Sequence, residues 1–292
     1  MRTAIACLAV AIACATATAA GLWAAQSPAS PAPAGIDSTR DAIDDAMEAM
    51  YNQDFDEAQR VLDAHLKVDA KDPLGHSARA AALLFAEFDR LQILELDFFG
   101  SDDRLTGGPR LKPDPGVRQR LLASTGHARL LASQKLVTDA NHRRALFAMG
   151  MAMGIEVQYA TVVEHRYLQG GSQSARLQAV AQRMLALNPP IYDAYVTLGS
   201  IEYVVASLNP VYRLLARFIG LRGDKPQALA HLQIVAAQGR YYRPYAKLLL
   251  AVFHSREGRL PQARALLDEL RKSFPRNRLF PREVARIDAK LR

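Results

Sequence analysis

Apolar residues recur at three- and four-residue spacing through most of the chain, in blocks separated by short breaks. The best-punctuated block is EGRLPQARALLDELRKSFPRN, from Glu257 to Asn277. Gly258 follows the apolar run AKLLLAVFHSRE, where a helix end favours a residue able to enter the left-handed region, and Pro261 stands where a first-turn proline is tolerated. Ala263, Leu266, Leu267 and Leu270 then form one buried face, and Pro275 closes the element. One helix therefore stops near Gly258 and a second runs to about Ser273.

The same spacing is echoed elsewhere. GDKPQALAHLQIVAAQG places Ala228 five residues after Gly223 and Leu232 four further on, as Ala263 and Leu267 follow Gly258, and Ala228 and Ala263 lie 35 positions apart. Ala58 and Leu62 repeat the pair in an earlier stretch, Asp41 to Pro73, which predicts two short helices. Further helices are expected over Ser77 to about Leu94, Val117 to Val137 and Asn141 to Tyr167. In the last of these, ALFAMGMAMGIEVQYATVV carries one charge, Glu156, and so predicts a central helix buried nearly all round. Met149, Met151 and Met153 fill core there, and Gly150 and Gly154 permit a close helix crossing. ARLQAVAQRMLALNPP gives an amphipathic helix, IYDAYVTLGSIEYVV the next, and Asn209-Pro210 starts an additional one, VYRLLARFIGLR. A last helix from Pro281, with Lys and Arg turned outward, suits a terminal cap.

Gly, then Ala five residues on, then Leu four later, closed by Pro, resembles the second helix of a tetratricopeptide repeat. Ala194-Tyr195, Leu198-Gly199 and Tyr203 resemble the first helix, with the last tyrosine one residue later than the family pattern. The additional helix before RGDKPQAL, followed by REGR and FPRN, is also similar to divergent tetratricopeptide proteins related to mitochondrial inclusion-body clearance factors. The resemblance covers Ile191 to Asn277 best and Asp41 to Pro73 more weakly. It implies an all-α fold of antiparallel helix pairs stacked as a tetratricopeptide-like solenoid, whose first helices line a groove for a protein or peptide partner. Carried onto this sequence, the groove positions are Asp193, Ser200, Tyr203, Tyr245, Ser255 and Arg256. Seven of the ten tyrosines fall between Tyr192 and Tyr245, a residue type enriched at binding hot spots.

Charge divides the chain. Asp37 to Arg104 holds 17 acidic and 7 basic residues, net −10, whereas Leu105 to Arg292 holds 12 acidic and 29 basic, net +17. Arg-rich solvated helix faces account for this, or else a polarised surface that favours anionic partners such as phospholipid head groups. In the second case the additional helix, with Arg213 and Arg217 four apart and Phe218 among its apolar residues, would lie on a membrane surface in a lipid-contact or assembly factor.

The N-terminus changes the setting. Residues Ala4 to Ala25 are uncharged after Arg2, and Ala17-Thr18-Ala19 offers a small-residue cleavage site before Ala20. Residues 1–25 are thus a signal peptide, an uncleaved anchor or, through Cys14, a lipidated leader, and the protein is exported to the periplasm or beyond, tethered in the latter cases. Export argues against nucleic acid as the partner of the basic half. Residues 26–35 form a Pro/Ala/Ser linker, 36–96 an acidic helical region, 97–116 an irregular loop and 117–292 a basic helical region. Asp102 and Asp103 in the loop lack the alternation of a calcium site.

No catalytic pattern emerges. The seven histidines form neither HExxH nor a close ligand pair, GxSxG and P-loop sequences are missing, and both cysteines, Cys7 and Cys14, lie in the export segment. The expectation is a non-catalytic scaffold with no cofactor and no metal.

Overall fold

A computed structural model describes residues 40–94 and 112–292. The expected export segment and linker, and most of the expected 97–116 loop with Asp102 and Asp103, lie outside the described residues. Among those described there are twelve α-helices and no strand. They are α1 (Ala42–Tyr51), α2 (Phe55–Val68), α3 (Pro73–Arg90), α4 (Pro115–Thr138), α5 (Arg143–Gln158), α6 (Tyr167–Leu185), α7 (Tyr195–Ser207), α8 (Pro210–Phe218), α9 (Lys225–Gln238), α10 (Arg243–Arg256), α11 (Leu260–Ser273) and α12 (Leu279–Leu291).

The helices pack as successive pairs, α1/α2, α3/α4, α5/α6, α7/α9 and α10/α11, with α12 closing the last. The second helices use the repeated Ala and Leu as their inner face: Ala58, Ala228 and Ala263 are each 0% exposed, and Leu62, Leu232 and Leu267 at most 1%. A methyl group at the closest point of each crossing lets the helices approach, and the leucine one turn later fills the groove beyond it. Gly199 works in the same way from α7, because a Cβ there would stand 2.8 Å from the Ala228 carbonyl oxygen of α9. Gly258 ends α10 with φ +73°, the left-handed conformation expected of it.

Local capping sets the boundaries. Asp72, Asp114 and Asp224 each accept backbone N–H groups in the first turns of α3, α4 and α9, each followed by a proline within that turn. The helix expected from Ser77 therefore begins four residues earlier, at Pro73, and ends at Arg90. The single helix expected from Asn141 to Tyr167 is interrupted: α5 passes into a π-turn at Tyr159–Val163, and the left-handed His165 (φ 54°) separates it from α6. Thr161 donates to the Val157 carbonyl at 2.7 Å within that turn, side-chain bonding that bends a helix. Arg143–Val163 is long and apolar enough to cross a membrane, but it is packed between α3, α4 and α6. Its Gly150 admits the Met184 methyl of α6, which a Cβ would meet at 2.8 Å.

The superhelix closes on itself. The α1–α2 turn reaches the C-terminal unit: Tyr51 Oη donates to the Tyr241 carbonyl at 2.9 Å, Asn277 Nδ2 donates to the Tyr51 carbonyl at 2.7 Å, and Gln53 Oε1 accepts the backbone N–H of Arg278 at 2.7 Å. Charge joins the same parts. Arg144 forks onto Asp72 (2.9 and 2.7 Å) and reaches Asp41 at 3.1 Å, and Arg240 bonds Asp44 at 2.7 Å. The acidic N-terminal region and the basic remainder thus meet inside one molecule, so part of the charge asymmetry serves closure.

Candidate functional site

Closure gathers the first helix of every pair around one central cavity of about 140 Å³. Its floor is apolar and buried: Met47 and Met50 from α1, Leu84 from α3, Phe147, Met151 and Ile155 from α5, Leu177 and Met184 from α6. Four methionines in this lining supply unbranched, polarizable side chains that fit irregular shapes. The mouth is formed by half-buried residues, among them Phe85, Gly154, Gln158, Ser174, Thr197, Ser200 and Tyr245. These half-buried residues mix apolar side chains with uncharged polar ones.

Asp193 is the one ionisable acid in the lining, and it is already engaged. Its carboxylate accepts the backbone N–H of Arg240 at 2.8 Å and of Tyr242 at 2.7 Å, tying the short 3₁₀ turn Tyr192–Ala194 to the start of α10. Burial pushes its pKa up, against the pull of those donors. Tyr245 donates to Gln158 Oε1 at 3.2 Å and meets Phe85 edge-on at 5.7 Å between ring centroids. Burial raises its phenol to about 12.

Three of the six expected groove residues, Asp193, Ser200 and Tyr245, thus line one cavity. The other three lie apart from it. Tyr203 is 3% exposed, stacks flat on Phe253, and donates to Glu257 Oε1 at 3.1 Å, while Lys225 Nζ reaches the same oxygen at 2.6 Å. Burial and Glu257 raise its phenol to about 12. It holds α7 against α10 within the core. Ser255 and Arg256 are half-buried at the end of α10. The α1 and α3 contributions to the cavity went unread in the sequence, since an apolar stripe on a helix has the same appearance whether it meets a neighbour or a void.

The residues of the additional helix are placed differently. Arg213, Arg217 and Phe218 are all exposed on α8, and Phe218 is 70% exposed. Arg213 is engaged by the carbonyls of Ala206 and Leu208, both at 3.0 Å.

Histidines pair with carboxylates singly: His65 with Asp72 and His231 with Glu202, both at 2.8 Å. Among the described residues no group of three His, Cys, Asp or Glu side chains is arranged to hold a metal ion.

Residues 244–269 match the sequence profile of the tetratricopeptide repeat family. The matched stretch runs from the start of α10 into α11, the pair whose punctuation is clearest in the sequence. No curated protein matches the chain. The match thus covers most of the α10/α11 pair, and the stacked pairs before it are arranged as an all-α, tetratricopeptide-like solenoid.

Proposed function

Taking the chain as a tetratricopeptide repeat protein, a superfamily whose members generally act as non-catalytic interaction scaffolds, we propose that it is exported and binds a protein or peptide partner in the cell envelope. The observation that carries this reading is the central cavity, with its buried apolar floor and an uncharged mouth that includes Gln158, Ser174, Thr197 and Ser200. Its size is informative. A cavity of about 140 Å³ is close to the roughly 150 Å³ that holds a benzene-sized group, and well below the roughly 300 Å³ at which drug-sized ligands begin. One aromatic or branched aliphatic side chain of a partner fits. Such an anchor, inserted into a desolvated pocket, is the usual form of a binding hot spot. Gln158, Ser174, Thr197 and Ser200 at the mouth would then meet the partner's backbone.

The reading is tested by capture from envelope extract with the wild-type protein and with Ser200→Trp, which places a large ring in the mouth. Ser200 is half-buried in the cavity lining, and thermal melting shows whether the variant is folded. Loss of a captured partner by the folded variant is the expected result, and equal capture by both proteins would exclude the cavity. Tyr203 is unsuitable for this purpose, because its removal cuts into the core. Export is tested separately by mass spectrometry of the protein from its producing cell, where cleavage after Ala19 gives an N-terminus at Ala20.

A further inference from the structure

Helix α8 is bound to the superhelix along only one side. Ala216 is its buried residue, packed with Val205 and Leu221 in a small cluster separate from the main core. On another side Val211 (67% exposed), Leu214 (54%) and Phe218 (70%) follow at three- and four-residue steps, which makes them one stripe of large apolar side chains in water.

The stripe is held rigidly. Asn209 caps the N-terminus through the N–H of Tyr212 at 3.0 Å, and Arg213 clamps the last carbonyls of α7. At the other end Gly220 takes φ +82° and the Leu221 N–H reaches back to the Ala216 carbonyl at 3.0 Å, closing the helix. The returning chain is then pressed onto α7 at Gly223, where a Cβ would overlap the Ala206 backbone. The stripe is therefore presented by a preformed helix rather than by one that folds on contact.

Charge indicates what it meets. From Tyr203 to Gly223 the chain contains three arginines and no acidic residue. All three are exposed, but Arg213 is engaged by the Ala206 and Leu208 carbonyls, whereas Arg217 and Arg222 carry no ion pair among the described residues. We propose that α8 is a peripheral membrane contact: Val211, Leu214 and Phe218 enter the interface of an anionic bilayer, and Arg217 and Arg222 meet its phosphates. Size favours lipid over a protein surface. A nine-residue helix spans about 13 Å. Its three apolar side chains offer on the order of 450 Å² at most, short of the roughly 800 Å² per partner of a stable protein interface. Shallow insertion with flanking cations needs no more than this. The contact is independent of the cavity, and either proposal can fail alone.

The test is flotation of the full chain, as isolated from its producing cell, with vesicles of phosphatidylcholine alone or containing one part in three of phosphatidylglycerol. Any contribution of the leading segment is common to all variants, so the comparison isolates α8. Wild-type protein should float with the anionic vesicles at low salt. The pair Leu214→Ser/Phe218→Ser should lower the partition at least tenfold, and Arg217→Gln/Arg222→Gln should abolish its dependence on phosphatidylglycerol. All four side chains are exposed, and unchanged melting confirms that the variants are folded. Failure of the wild type to float, or equal flotation of the Leu214/Phe218 pair, overturns the proposal. So does a dimer in solution that this pair converts to monomer without any vesicle binding, which would assign the stripe to a second copy.

Discussion

Replacing Arg144 by methionine removes the cation that joins the acidic N-terminal region to α5. Asp72, 3% exposed, then keeps His65 and its two capping bonds from the N–H groups of Leu74 and Gly75, both at 3.1 Å, but loses the forked guanidinium. Burial alone would raise the Asp72 pKa, yet Arg144 and the other donors bring it down to about 2, from 3.8. At about 1.4 kcal/mol per unit, that difference is worth ~2 kcal/mol. The folded-state pKa is depressed, so this stability is fully present above about pH 4 and is lost as pH falls toward 2. Truncating one partner of a buried pair adds the cost of the stranded charge, giving about 3 kcal/mol for the single substitution at neutral pH. Urea unfolding of wild type, Arg144→Met, Asp72→Asn and the double variant measures the coupling directly, and Asn retains the cap. We expect a coupling of ~2 kcal/mol and acid unfolding of Arg144→Met that begins at higher pH than in wild type. A coupling below about 0.5 kcal/mol, with the acid transition unmoved, would refute the view that this clamp closes the superhelix.

Other expectations address separate parts of the fold. Leu267→Ala, at a fully buried repeat position, should cost about 2–5 kcal/mol by chemical denaturation, and a loss under about 1 kcal/mol would mean that α11 is not packed as described. Gly223→Ala forces a Cβ into the Ala206 backbone; it should destabilise by about 1–3 kcal/mol and speed proteolysis between Asn209 and Gly223, whereas an unchanged digestion pattern would separate α8 from that contact. Tyrosinate absorbance should show Tyr203 and Tyr245 ionising only near pH 12. Because both folded-state values are raised, their contribution is present below about pH 10 and lost above it, and Tyr245→Phe should remove one late-titrating group.

Much of the fold was legible because repeat packing is local. An alanine at each helix crossing and a leucine one turn later identify the inner face of α2, α9 and α11 without knowledge of any other element. Gly258 and the first-turn prolines mark where these helices stop and start, through backbone geometry alone. The sequence was less informative where side chains alter the helix from within: Thr161 and the left-handed His165 break α5 from α6 inside an apolar run that periodicity reads as continuous. Of the residues that the resemblance implied for a groove, Asp193, Ser200 and Tyr245 line the cavity, whereas Tyr203 is stacked on Phe253 in the core, a long-range contact that the spacing within α7 does not encode.

The sequence by itself determined most of the helices, the inner faces of the repeated ones and the uneven charge, because capping, periodicity and composition act over a few residues. Only the tertiary structure decided that the superhelix closes, that Arg144 and Arg240 spend part of the basic charge on Asp41, Asp44 and Asp72, and that six helices leave a cavity between them. It also decided which side of α8 faces water. These depend on contacts across up to 226 positions of chain, as between Asn277 and Tyr51, and no local pattern encodes which apolar face will find a partner.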